Sequence, residues 1–364
     1  MSNKKRFLNK IIMTKKISFF SFLAAALILV SGCSISFNTQ KTDTTAGVFK
    51  STDKAATWAQ ANTFVFSGGI ASIAGVNVVN LQFDPEDNKA LYLNSSNSGL
   101  FYSYDAAAGW QKAADLSSGR VESVAVDPKN KCVIYAAVSN TIKKSVDCNR
   151  SFDEIYVDTR AEKTIRSLAV DGYNNLAIYA GNNTGDILKS LDGGVTWQVI
   201  ERINKSIKKI LVNPKDTRIV YVATDSGGIY RSSDSGNGWK NLNDSLKDYQ
   251  GALNLRDLFF DPTQKDALVL VSKYGILKSN DGASSWTAYQ LITPANSVDI
   301  YAAVLNPVNN QELYYATAST FYKTADGGQN WITSRLPTGA VPSILIIDPK
   351  NPNVVYMGFT APSR

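Results

Sequence analysis

Cleaving a glycosidic bond takes two facing carboxyl groups, about 5–9.5 Å apart, and holding an anion takes convergent cations. This sequence offers both kinds of residue at one repeated place. Seven short turns recur: Asp84-Pro85, Asp127-Pro128, Asp171-Gly172, Asn213-Pro214, Asp261-Pro262, Asn306-Pro307 and Asp348-Pro349. Five residues before them stand Val79, Glu122, Arg166, Lys208, Arg256, Tyr301 and Ser343. The positions three and one before the turn are apolar almost throughout, so each run changes from apolar to polar at the same end. Arg120, Asp257 and Asp299 lie close by. Glu122, Asp257 and Asp299 are therefore the candidate acid and base of a hydrolase. Arg120, Arg166, Lys208 and Arg256, with Tyr301, are the candidates for holding an anionic or sugar group. Histidine is absent, which excludes His-activated nucleophiles and His metal ligation. No metal and no cofactor is expected.

The turns imply the elements that carry these residues. Each follows an alternating apolar run, such as VESVAV or IKKILV, and precedes another, such as VIYAAV or VVYMGF. That is two strands joined by a turn. A third run (GIYRSSD, GILKSND) leads into a second repeated segment, and a fourth carries an aromatic residue. Four antiparallel strands in ~45 residues make a propeller blade.

The second repeated segment is Ser51-Thr52-Asp53…Trp58, and it returns with Asp105…Trp110, Asp147…Phe152, Asp192…Trp197, Asp234…Trp239, Asp281…Trp286 and Asp326…Trp331. All 6 tryptophans of the chain fall in this register. The pattern S/T-x-D-x-G-x-x-W resembles the Asp-box, or BNR, repeat of sialidase-like, sortilin-like and xyloglucanase-like propellers. The resemblance covers nearly all of the chain after its N-terminal segment. It implies an all-β fold, a seven-bladed β-propeller of four-stranded antiparallel blades. The seven aspartates are read as structural, each carboxylate accepting hydrogen bonds from turn N–H groups. Gly194, Gly236 and Gly328, two places after the aspartate, supply positive φ. Ala55, Ala107, Asn149 and Ala283 stand there in the other repeats, and looser turns are expected at those four. The series begins with an Asp-box lacking preceding strands and ends with two strands lacking an Asp-box. The C-terminal strands should therefore pair with the N-terminal ones in one composite blade, leaving no open sheet edge.

A formal charge of +7 invites a nucleic-acid reading that its distribution rejects. Six of the 38 basic residues (Lys4, Lys5, Arg6, Lys10, Lys15 and Lys16) fall in residues 1–32, leaving 32 against 31 acids. A near-neutral remainder has no net attraction to phosphate backbones. Residues 1–32 read as a signal peptide: a basic start, then an apolar run from Ile17 to Val30 that is shorter than a spanning helix needs. Either Met1 or Met13 suits as the start. Val30-Ser31-Gly32-Cys33 resembles the lipobox of bacterial lipoproteins, which implies lipidation at Cys33. Residues 33–46 would form a tether, and the propeller would occupy 47–364. An anchored, monomeric protein of the cell envelope is expected, at the outer membrane in a Gram-negative cell because Ser34 is not acidic.

The hairpin holding Cys132 and Cys148 centres on Asn140, and both cysteines are eight residues from it. They should face one another and form a disulfide, which an exported compartment permits. The longest connections are residues 59–78, 240–255 and 287–299. The latter two carry Tyr249 and Tyr289, further binding candidates expected beside the channel mouth.

Two functions follow. One is a non-catalytic binding or assembly module, its partner an envelope protein, peptide or glycan. Sortilin-like propellers bind peptides and proteins, and the chain is similar in size and anchoring to a family of lipid-anchored propellers that assists photosystem II assembly. The alternative is a glycoside hydrolase. Sialidases use six blades and an arginine triad, and seven blades with no clear arginine-bearing N-terminal motif argue against that family. Xyloglucanases place their site between two seven-bladed domains, and these repeats make one.

Overall fold

Every alternating run becomes a strand, and the strands form seven four-stranded antiparallel blades arranged as a β-propeller. The structure is a computed structural model that describes residues 45–362. The signal peptide, the lipidation site Cys33 and most of the tether lie outside the described residues. The composite blade, taken as the first, runs from rim to axis as Ala59–Gln60, Gly47–Ser51, Val355–Thr360 and Val341–Ile347. Its closure is antiparallel, with Phe49 opposite Met357 and Ser51 opposite Val355. The second to seventh blades occupy 78–112, 123–157, 165–202, 207–241, 255–288 and 302–335. Their first strands lie innermost. Among the described residues the only helices are two short 3-10 turns, Ala114–Leu116 and Asn243–Leu246.

The apolar core lies between neighbouring blades, where alternating side chains of one sheet meet the next. Polar side chains weld the same seams. Tyr135 in the second strand of its blade faces Lys144 in the third. The ammonium lies over the ring, 5.3 Å from its centroid. Both groups donate to the Gly193 carbonyl in the Asp-box of the following blade, at 3.3 and 2.8 Å. Tyr179 and Lys189 do the same to Ser235 O, and Tyr356 and Lys50 to Ala106 O across the closing blade. Each acceptor is the residue directly after the box aspartate.

The Asp-boxes share one geometry. The aspartate Oδ1 accepts the N–H four residues on, for example Thr57 at 2.9 Å and Asn330 at 2.9 Å. The Ser or Thr two places before donates its hydroxyl to the same carboxylate and accepts the N–H of the residue two places after it. The two residues following each aspartate both have positive φ. This corrects one expectation. Ala55, Ala107, Asn149 and Ala283 adopt φ of 63–68°, so their turns are not looser but hold L residues in the left-handed region. Glycine stands where φ is larger, 93–97° at Gly194, Gly236 and Gly328, and where a side chain would also press on the blade before. A Cβ on Gly194 or Gly236 would stand 2.5 Å from Ile155 Cδ1 or 2.7 Å from Ile200 Cδ1 of the preceding blade.

These hydrogen bonds stabilise the ionised carboxyls. Asp53 and Asp147 are held at about 2, first by the hydroxyls of Thr57 and Ser151 and then by their N–H groups. Asp326 is held at about 2 by the N–H of Asn330, then by its amide. Such carboxyls titrate near 3.9 in an unfolded chain, so the folded state binds fewer protons. Their contribution is complete above about pH 4 and is lost as the pH falls through about 2. Melting temperature measured from pH 7 to 2 should fall most steeply below pH 4, and Asp53→Asn with Asp326→Asn should flatten that limb.

Cys132 and Cys148 form a disulfide, but the count that suggested it was off by one. Val138 faces Thr141 and Ile134 faces Ser145, so the turn centres between Ser139 and Asn140. Cys148, directly after the box aspartate Asp147, lies past the end of the strand with φ 61° and donates its N–H to Cys132 O at 3.2 Å. That departure from regular pairing brings the two side chains together.

Candidate functional site

The innermost strands share an irregularity that aims side chains into the central channel. Pairing with the second strand shifts register between Val78 and Asn80, Ile165 and Ser167, Ile207 and Lys209, Leu255 and Asp257, and Pro342 and Ile344. The residue passed over is Val79, Arg166, Lys208, Arg256 or Ser343, the position five before the turn. In the other two blades, Glu122 and Tyr301 sit just before the strand, each N–H bonded to the second strand at Ala137 O or Ala316 O. A bulge inserts one residue and re-aims it. All seven of these residues line one cavity of about 550 Å³ at one end of the channel.

The wall has two unlike parts. The third to sixth blades contribute Arg120, Glu122, Arg166, Lys208, Lys209, Arg256 and Asp257. The seventh, first and second contribute Tyr301, Ser343, Pro342, Val79, Asn80 and Gln82, none charged. Five cations thus face two carboxylates within the wall, and the remaining balance comes from the rim. Arg120 Nε and Arg166 Nε flank Glu122, at 2.6 and 3.8 Å. Lys209 Nζ meets Asp257 at 2.6 Å. Lys208 and Arg256 pair outward with Asp225 at 3.5 Å and Asp299 at 3.0 Å, neither of which lines the cavity. The Arg256 guanidinium also stands 5.7 Å from the centre of the Tyr301 ring. Neighbouring inner strands are stitched by Ser123 Oγ and Ser167 Oγ, which accept the N–H groups of Leu168 and Ile210 at 3.0 and 2.9 Å.

The three candidate carboxylates, Glu122, Asp257 and Asp299, each have a cationic partner. Lys209, Asn80, Gln82 and Asp225 were not singled out from the sequence. The signal for Lys209 is the bulge, which turns two consecutive residues toward the channel, and pairing register is not written in the apolar alternation.

Tyr249 and Tyr289 do not line this cavity. The Tyr249 hydroxyl donates to Trp286 O at 2.6 Å and its ring packs edge-on against Tyr274, so it serves the seam between the fifth and sixth blades. Tyr289 packs in the next seam, where burial pushes its hydroxyl up to about 12. The connection 59–78 also departs from the expected mouth loop, because 63–72 folds into a separate hairpin at the outer edge of the second blade.

Fold and site together define a single-ring, seven-bladed propeller of Asp-box repeats with a half-cationic channel mouth. The family described as "Sortilin, neurotensin receptor 3" matches residues 185–276. No curated protein matches the sequence. Among solved structures, a GH74 enzyme of Niastella koreensis is similar at a TM-score of 0.63 and 18% identity, over 79% of this chain and 51% of that one. The chain thus spans about half the length of that enzyme. "YCF48 bound to D1 peptide" is similar at 0.60 and 17%, over 79% of this chain and 94% of that one. The extracellular domain of the putative one component system BT4673 from B. thetaiotaomicron is similar at 0.56 and 16%, over 79% and 41%. At these identities the likeness is one of fold.

Proposed function

We propose that this chain is a non-catalytic binding module, held at the cell envelope by lipid on Cys33, whose channel mouth takes the anionic group of a peptide or glycan. The carrying observation is the repeated bulge, which turns Arg166, Lys208 and Arg256 into one cavity beside an uncharged wall. An anion there meets convergent donors, and the uncharged body of the same ligand rests on Tyr301, Val79 and Asn80. A peptide ending in a free carboxylate has that combination, and the similar propeller YCF48 has been solved bound to D1 peptide.

The test is calorimetric titration with one peptide panel, each member prepared as free acid and as C-terminal amide. A hydrogen bond to a charged group contributes about 1.5–3 kcal/mol. The acid should therefore bind about tenfold more tightly or better, and the difference should shrink as salt rises. Equal binding of acid and amide would sink the anion reading.

The likeness to GH74 enzymes favours glycoside hydrolysis as a second reading. A glycan panel including xyloglucan decides it. Turnover by the natural chain that disappears in Glu122→Gln, Asp257→Asn, Asp299→Asn would replace the binding module with a hydrolase.

A further inference from the structure

The segment between the first and second blades carries an element that the ring does not need. Thr63–Phe66 and Gly69–Ser72 pair as an antiparallel hairpin. Its base is tied to the second blade: Val65 N–H donates to Trp110 O, and Trp110 N–H to Thr63 O, both at 2.8 Å. Phe64 turns inward and packs edge-on against Phe101. Beyond that anchor the hairpin is apolar and open to solvent. Val65 is 44% exposed, Phe66 47% and Ile70 78%. No charged residue stands between Lys54 and Asp84, in a chain where 19% of residues are charged. An apolar hairpin with a free edge and no guarding charge invites association in water.

Its position says what covers it. The feet of the hairpin touch the place where the chain enters the propeller. Gly47 N–H donates to Val76 O at 3.0 Å, and Val48 N–H to Asn62 Oδ1 at 2.7 Å. Ile73 N–H donates to Asn62 O at 2.8 Å. A Cβ on Gly47 would lie 2.4 Å from Asn62 Oδ1 and 2.7 Å from Ile73 O, so the incoming chain runs directly between the two feet. From Cys33 to Gly47 an extended chain reaches at most about 50 Å. A lipid on Cys33 therefore keeps the hairpin within one tether length of the bilayer.

We propose that the 63–72 hairpin rests its tip, Phe66 and Ile70, in the bilayer interface as a second contact beside the lipid on Cys33. The proposal depends on the lipoprotein reading of Cys33. An uncharged tip adds apolar burial without electrostatic attraction, which complements an acyl anchor. The contact would hold the first and second blades at the membrane. Those blades carry part of the uncharged wall of the channel, while its cations lie on the third to sixth.

The experiment uses the mature lipoprotein in vesicles of phosphatidylethanolamine and phosphatidylglycerol. With Cys33 acylated and Cys132 bonded to Cys148, a cysteine introduced as Ser67→Cys is the free thiol and takes a polarity-sensitive fluorophore. Val195→Cys, at an exposed site in the Asp-box of the fourth blade, is the control. The probe at 67 should shift to the blue on vesicles and lose intensity when nitroxide lipids are included, and the probe at 195 should do neither. Adding Phe66→Ser and Ile70→Ser should abolish the response at 67 while lowering the melting temperature by only a few degrees, for the lost stacking of Phe66 on Phe64. Acylation is read separately from the mass of the N-terminal peptide. A missing acyl chain overturns the lipoprotein reading and this proposal with it. An acylated protein with a silent probe at 67 overturns this proposal alone. A blue shift that grows with protein concentration without vesicles assigns the tip to a second copy of the chain and also overturns it.

Discussion

Reversing two charges at the channel mouth, Arg166→Glu with Lys208→Glu, should weaken binding of an anionic ligand at least about a hundredfold. Each cation is worth about 1.5 kcal/mol or more to a charged acceptor, and 1.4 kcal/mol is a factor of ten. Reversal adds repulsion to that loss. The new carboxylate at 166 would stand beside Glu122, whose Oε2 is now 3.8 Å from Arg166 Nε, and the one at 208 beside Asp225. The propeller should survive, because both residues are bulge positions whose side chains face the cavity and not a seam. Unchanged melting with lost binding is the expected pair of readings. Arg166→Gln with Lys208→Gln separates the two effects, since it removes attraction without adding repulsion and should fall between. Retained binding in the reversed variant would remove the mouth from consideration as an anion site.

Asp186→Ala should destabilise the propeller by about 3–5 kcal/mol, the usual cost of leaving a buried charge without its partner. Asp186 is 4% exposed and Lys163 6%, and Lys163 Nζ donates directly to the Asp186 carboxylate. Arg160 and Arg202 stand 3.6 and 3.5 Å from the same carboxylate, and Asn182 donates to it at 3.3 Å. Burial pushes the Asp186 carboxyl up, but the hydrogen bonds from Lys163 and Asn182 and the cations outweigh it and hold it below the ordinary range. Removing it strands the Lys163 ammonium in the protein. Urea unfolding followed by tryptophan fluorescence should show a lower midpoint. Asp186→Leu combined with Lys163→Met should recover much of the loss, because a buried pair replaced as a pair leaves no orphan charge. The effect reaches the site as well. Lys163 lies in the crossover from the third blade to the fourth, three residues before Arg166, so loosening that crossover should also weaken ligand binding. A single variant as stable as the natural chain would show that solvent reaches Lys163.

The architecture was legible in the sequence because its determinants are local and repeated. A turn aspartate bonds to N–H groups two to four residues away, so seven copies of one spacing announce seven turns. The offset between the box series and the Asp-Pro series likewise required the two-plus-two closing blade, since both series occupy fixed places in one strand order. The polar end of the inner runs was visible for the same reason, and it led to seven residues that the fold gathers around one cavity. What the repeats do not encode is where strands slip against each other or what neighbouring blades press together. The bulge that turns Lys209 inward and the outward pairing of Lys208 with Asp225 depend on the register between strands of one blade, and the pairing of Arg256 with Asp299 and the absorption of Tyr249 and Tyr289 into seams depend on the neighbouring blade. Ala55, Ala107 and Ala283 take left-handed backbone because the local box bonds hold the turn in that form, each N–H donating to the box serine hydroxyl. The sequence by itself determined the number, order and closure of the blades. Only the tertiary structure decided which further polar side chains, such as Lys209, Asn80 and Gln82, join those seven at the channel and how the charges pair, because that choice is made by register and by contacts between segments apart in the chain.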